Sequence, residues 1–220
     1  PLAAAPAVPF PTARYSQNLF FRAVGYLIGF FMSIAMVYPV SQLTRAVVEE
    51  KEQRLRQTMR SMGLRYRALV TAWVASASLQ FLVTALLVTA VVCGSFVSRS
   101  DPVVIFAWVF VFLLSTVSLA LLLATFFSRA KLAAVAAPML YVGFVIPKFA
   151  FFAADRNERV AAKYATCLLS PSAFAFGADL VADYEYAEVG VAGDRVWAEG
   201  FSMGGCILMM ALDAVLYLLA

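Results

Sequence analysis

VVIFAWVFVFLLSTVSLALLLATFF, residues Val103–Phe127, runs for 25 positions without a charged side chain. A helix crossing a bilayer needs about 17–25 mainly apolar residues, so this stretch can span alone. Its neighbours read the same way. Ala68–Cys93 has no charge, and Leu19–Val40 carries only Arg22 near its start. Leu132–Pro147 is shorter and passes through Lys148 into Phe149–Ala154, while Phe201–Ala220 carries Asp213 inside it. The pattern predicts an all-α, polytopic transmembrane bundle with spans over about 19–42, 66–93, 103–127, 132–154 and 201–220. Pro138, Gly143 and Pro147 mark the fourth span as a crossing with a broken outer end, a re-entrant turn being the other reading.

Composition agrees. Of 220 residues, 63% are hydrophobic and 14% charged, against about half and a quarter in soluble domains. Mean hydropathy is +0.85. The chain has no histidine, which excludes His-based triads and H-E-x-x-H metal sites. Cys93, Cys167 and Cys206 show no C-x-x-C spacing, so no zinc site or disulfide framework is indicated. The chain opens Pro-Leu-Ala without Met or a signal-peptide pattern and reads as an excerpt of a longer protein. Residues 1–18, with four prolines in the first eleven positions, read as an extended exoplasmic approach to the membrane.

Lys and Arg in short loops prefer the cytosol. Ser41–Arg67 and Ser128–Lys131 together hold nine basic residues, while the loops on the other side hold five, and Asp155–Gly200 is net negative. The expected arrangement is therefore a cytosolic basic side, an exoplasmic start and a cytosolic end. Asp179, Asp183, Glu185 and Glu188 read as a solvated acidic face, since their spacing fits no EF-hand. Tyr184, Tyr186 and Trp197 suit one interfacial aromatic belt, Tyr66 and Trp73 the other.

In the basic segment, Leu43, Val47, Val48, Leu55, Met59 and Met62 recur at helical spacing, and Gly63 sits where a helix would stop. Glu50 with Arg54, and Glu52 with Arg56, are i,i+4 pairs in the favoured order. The segment 43–64 is thus an amphipathic helix in or under the cytosolic interface. Periodicity alone favours a lipid-facing anchor. The acids interleaved with the bases suit a transmission helix that docks a cytoplasmic protein.

EEKEQRLRQTMRSMGL, ending at Leu64, resembles the EKE-x-RLKE-x-M-x-x-MGL stretch in the membrane domains of A-subfamily ATP-binding-cassette (ABC) transporters. LLSPSAFAFG at Leu168–Gly177 with EVGV at Glu188–Val191, and MMALDAVLYLLA at Met209–Ala220, are similar to later parts of the same domains. The resemblance covers the chain from about Phe10 onward. It implies an ABC-2 type transmembrane domain: one half of a type II exporter, with a cytosolic coupling helix at 43–64 and an exoplasmic helical hairpin within 155–200. Carried onto this sequence, the coupling-helix residues are Glu50, Lys51, Glu52, Arg54, Leu55, Arg56, Met62 and Gly63. The resemblance also implies ATP-driven movement of lipids such as phospholipids, sterols or retinoid-lipid adducts. Its partners would be a nucleotide-binding domain, a second transmembrane half and membrane lipids, with no nucleic acid.

Two features depart from that family. The first span and large extracellular domain usual upstream are missing, and no G-x-x-x-x-G-K-[ST] occurs anywhere. ATP and Mg²⁺ are therefore expected to bind outside this fragment, which holds no catalytic residue. The alternatives are a secondary transporter or channel, or a non-transporting polytopic subunit. The former would show internal repeats or several intramembrane charges. Asp213 is the one clear intramembrane charge. Its insertion cost of about 2.5–3.5 kcal/mol nearly cancels the roughly 2.4–4.8 kcal/mol gained from the apolar residues of its span. It should face the bundle and bond a partner, with Ser33, Ser41 and the hydroxyls at Ser115, Thr116 and Ser118 as candidates.

Overall fold

The computed structural model describes residues 19–53, 63, 66–95, 97, 99–151, 158–187, 189–193, 195–198 and 200–219. Their regular structure is helical throughout: α1 (Leu19–Ala35), α2 (Val37–Glu52), α3 (Tyr66–Ser95), α4 (Pro102–Phe126), α5 (Ala130–Val145), a 3-10 turn (Ile146–Phe151), α6 (Val160–Thr166), α7 (Ser170–Tyr186) and α8 (Met203–Leu219). Arg54, Leu55, Arg56 and Met62, all expected on the coupling helix, lie outside the described residues.

The uncharged run becomes the centre of the bundle. Helix α4 packs against α2, α3, α7 and α8, burying Ile105, Trp108, Phe112, Val117, Ala120 and Leu123 among its core residues. It starts where the sequence supplies a cap: the Asp101 carboxylate accepts from Val103 N at 3.0 Å, and Pro102 occupies the first turn. By contrast, α3 leans mainly on α4 and leaves Leu79, Val83, Leu86, Leu87 and Val91 exposed, as a lipid-facing helix would.

Among the described residues, four helical stretches are long and apolar enough to cross a membrane: Leu27–Glu52, Ala68–Ser95, Pro102–Phe126 and Ala130–Phe151. The fifth apolar run forms α8, 17 residues long, at the lower limit of about 17. Prolines explain the irregular points. Pro39 has no N–H to offer the Ala35 carbonyl, and the helix breaks at Met36, whose amide bonds Ser33 O instead at 3.1 Å. Pro138 likewise frees the Ala134 carbonyl inside α5. Ser41 Oγ of α2 donates to that oxygen at 2.8 Å, the kind of substitution that lets proline persist at membrane depth. Past Val145 the helix tightens into the 3-10 turn, and Ser172 Oγ donates to Phe144 O at 2.6 Å. The fourth run thus continues as helix and 3-10 turn over 22 residues, with its irregular part at the C-terminal end.

Helix α2 runs through position 43 without a break. Thr44, Val47 and Val48 are buried, and the two valines form a cluster with Ala124, Ala130 and Ala133. The first part of the predicted apolar stripe therefore packs on α4 and α5 rather than on lipid.

The acidic segment differs most from its expected form. Helix α7 is nearly covered from Ser170 to Ala182, packed between α1, α4 and α8. Tyr217 Oη donates to Leu168 O at 2.7 Å, just before the start of α7. Tyr217 lies fourteen residues into α8, or about 21 Å along it. The α6–α7 pair therefore dips into the bundle, and α7 climbs back out. Small residues permit it: a Cβ at Gly29 of α1 would sit 2.7 Å from Ala178 Cβ and 2.8 Å from Ala175 O, so the two helices meet backbone to backbone. Phe174 stacks on Trp108 and Phe112 of α4, with centroids 4.3 and 3.8 Å away.

The acidic residues are correspondingly a solvated face only in part: Asp183 is exposed, while Asp179 and Glu185 are drawn inward. Asp179 forms an ion pair with buried Lys148 at 2.8 Å, and Glu185 is 4% exposed. One Glu185 oxygen accepts from Arg99 N at 3.2 Å, Ser100 N at 3.0 Å and Ser100 Oγ at 2.8 Å. Ser100 Oγ in turn accepts from Val191 N at 2.9 Å, and Gly190 takes a φ of 69° where its backbone closes on Arg99 O. Burial wins because the carboxylates find partners; periodicity could not reveal those partners. Glu188 lies outside the described residues.

Candidate functional site: three side chains on three helices

The C-terminal end of α2 and the α4–α5 connection meet at one end of the bundle. Glu50, Lys51 and Glu52 point to three different helices there. Glu50 Oε2 accepts from Trp73 Nε1 of α3 at 3.0 Å. Lys51 Nζ donates to the carbonyls of Thr125 and Phe127, at 3.1 and 3.0 Å, at the end of α4. Glu52 Oε2 accepts from Ala130 N, the first residue of α5, at 2.8 Å.

Each contact suits the charge it uses. The last carbonyls of a helix lack internal partners and carry the negative end of its dipole, which a lysine satisfies. The first amides carry the positive end, which a carboxylate satisfies. The acid–base–acid order therefore matches, in three consecutive residues, an indole donor, a helix C-terminus and a helix N-terminus.

Glu50 and Glu52 make contacts that cross the bundle; Arg54 and Arg56, expected to pair with them, lie outside the described residues. The described i,i+4 pair on α2 is Arg45–Glu49, at 4.0 Å and half exposed, a geometry that contributes little. Gly63 is exposed with a φ of 90°, a left-handed conformation that favours glycine and suits the end of a helix. Sequence reasoning missed Trp73, which read as interfacial. It also missed the backbone atoms of Thr125, Phe127 and Ala130, which no side-chain pattern advertises.

Asp213 does face the interior, at 0% exposure. None of its proposed partners reaches it. Ser33 Oγ donates to Gly29 O at 2.8 Å and lies 3.5 Å from Pro171 O, and Ser41 serves Ala134. Ser115 and Thr116 bond Phe112 O, and Ser118 bonds Leu114 O. These hydroxyls bond backbone carbonyls, their own helix's in most cases, as such residues commonly do in helices. Among the described residues no three His, Cys, Asp or Glu side chains come together to hold a metal ion.

A bundle of apolar helices tied at its basic end and penetrated by a helical hairpin from the other side is a multi-pass integral membrane domain of the transporter class. The family profile described as "ABC-2 family transporter protein" matches residues 3–220, and the chain belongs to that family. It is similar to ATP-binding cassette sub-family A member 7 of Mus musculus, 36% identical over 96% of this chain and 10% of that protein. It is also similar to the phospholipid-transporting ATPase ABCA3 of Homo sapiens, at 33% identity over 94% of this chain and 13% of that protein. A third relative is the retinal-specific phospholipid-transporting ATPase ABCA4 of Bos taurus, 31% identical over 96% of this chain and 9% of that protein. The chain thus spans about a tenth of the length of the curated relatives it matches.

Proposed function

We propose that this chain is one transmembrane half of an ATP-driven transporter that exports or flips lipids. The observation that carries this is the triple contact of Glu50, Lys51 and Glu52, through which force on the basic loop would reach α3, α4 and α5 together. The relatives' description as phospholipid-transporting ATPases supports the lipid class. ATP and Mg²⁺ would be held by a nucleotide-binding domain outside these residues, since the chain offers no phosphate-cradling loop and no described carboxylate cluster for the metal. The remaining partners are a second transmembrane half and the lipid itself. The basic end is cytosolic and the Glu185 end exoplasmic, by the excess of Lys and Arg.

Reversing Arg54 and Arg56 to Glu in the complete protein should abolish ATP-dependent translocation of a fluorescent phospholipid in reconstituted vesicles, with expression largely intact. Exposed charges contribute only about 0–1 kcal/mol to folding. Normal translocation by the double variant would remove the coupling role and leave 43–64 as a lipid-facing anchor. The orientation has its own check: in a Cys-free protein, Val189→Cys should react with an impermeant thiol reagent in intact cells and Gln57→Cys should not. The opposite pattern would invert the topology.

A further inference from the structure

Asp213 presents two carboxylate oxygens with no hydrogen-bond partner, and Ser170 Oγ, at the first residue of α7, has none either. Both residues are 0% exposed. Tyr217 brings them into one neighbourhood. It lies one turn after Asp213 on the same face of α8 and carries a hydroxyl. That hydroxyl also lies 3.4 Å from Ser170 N as its acceptor. Here α6 has ended and α7 is just beginning, so the backbone at Cys167–Leu169 leaves helical geometry beside Tyr217. Irregular backbone at such depth is typical of places where helices part around a small polar occupant.

We infer that Asp213 and Ser170, with the Tyr217 hydroxyl beside them, form a buried binding site for one small monovalent cation of sodium's size. The single carboxylate sets the charge. An ionised carboxylate shut away from water needs a counter-charge, and among the described residues no Lys or Arg forms an ion pair with it. One positive charge balances it; a divalent ion would leave a net charge buried. A proton would also remove the charge; a cation that takes oxygen ligands would instead draw on both the carboxylate and the Ser170 oxygen, and the sodium test separates the two. Complete burial excludes a lipid headgroup or a side chain of another subunit as the occupant.

The test is equilibrium binding of sodium-22 to the complete purified protein in lipid nanodiscs, with divalent ions chelated and choline holding ionic strength constant. The expected result is a saturable sodium site displaced by excess unlabelled sodium and not by choline. One equivalent is lost in Asp213→Asn, and Ser170→Ala binds about tenfold more weakly, the loss of one good ligand. Both variants are first confirmed as monodisperse, so that loss of binding is not loss of fold; Ser170→Ala carries the test if Asp213→Asn fails to fold. Absence of saturable sodium binding, binding unchanged in the variants, or a thermal midpoint that follows pH and ignores sodium would overturn the proposal.

Discussion

Replacing Glu185 with alanine should destabilise the protein by about 3 kcal/mol or more, because each buried donor left without an acceptor costs about 1–3 kcal/mol. Three donors converge on that one carboxylate: two successive backbone amides and a hydroxyl. The hydroxyl also holds Val191, and Asp101 N bonds Val191 O at 2.9 Å, so the loss spreads to the turn that starts α4. Glu185→Gln keeps a carbonyl oxygen as acceptor and should cost only about 1 kcal/mol. Thermal unfolding of the purified protein checks both. An alanine variant as stable as the unaltered protein would mean that water reaches these groups and the knot contributes nothing.

Lys51→Glu should reduce ATP-dependent lipid translocation by at least about tenfold. The substitution turns a favourable charge at the end of α4 into an unfavourable one, a swing of about 1–2 kcal/mol. If the swing falls on the motion, it suffices for a tenfold change in rate. Lys51→Arg keeps the donors and should retain most activity. Translocation per folded molecule, measured beside the melting temperature, separates two roles. A lower melting point with unchanged translocation would make Lys51 a helix cap and nothing more, and the triple contact would then lose its place in coupling.

The centre of the fold was legible because Val103–Phe127 contains nothing that water would solvate well; such a helix must lie in lipid or in protein, and its many neighbours make it the core. The burial of α7 was not legible. Asp179, Asp183 and Glu185 in its second half suggest a wet surface, and what buries Asp179 and Glu185 is one distant lysine, two backbone amides and a hydroxyl. The small residues at Gly29, Ala175 and Ala178 that permit the approach look unremarkable in a sequence rich in alanine. At the candidate site, charge order pointed to Glu50, Lys51 and Glu52, but local spacing offered only partners four residues away. Their described partners lie 23, 74 and 78 residues away, a distance that helix periodicity does not encode. Asp213 was legible as a polar residue turned inward; the helix that its face meets was not.

The packing of α1 on α7 also has a consequence in time. Ser33 and Pro171 are 138 residues apart in the chain. At a synthesis rate of about 5–20 residues per second, roughly 7–28 seconds pass between their emergence from the ribosome. Throughout that interval α1 sits in the bilayer with its Gly29 face uncovered. A newly made first span must therefore be shielded by lipid or by an assembly factor until the hairpin folds back against it, and α8, which emerges later still, packs on α4 and α7 only after that.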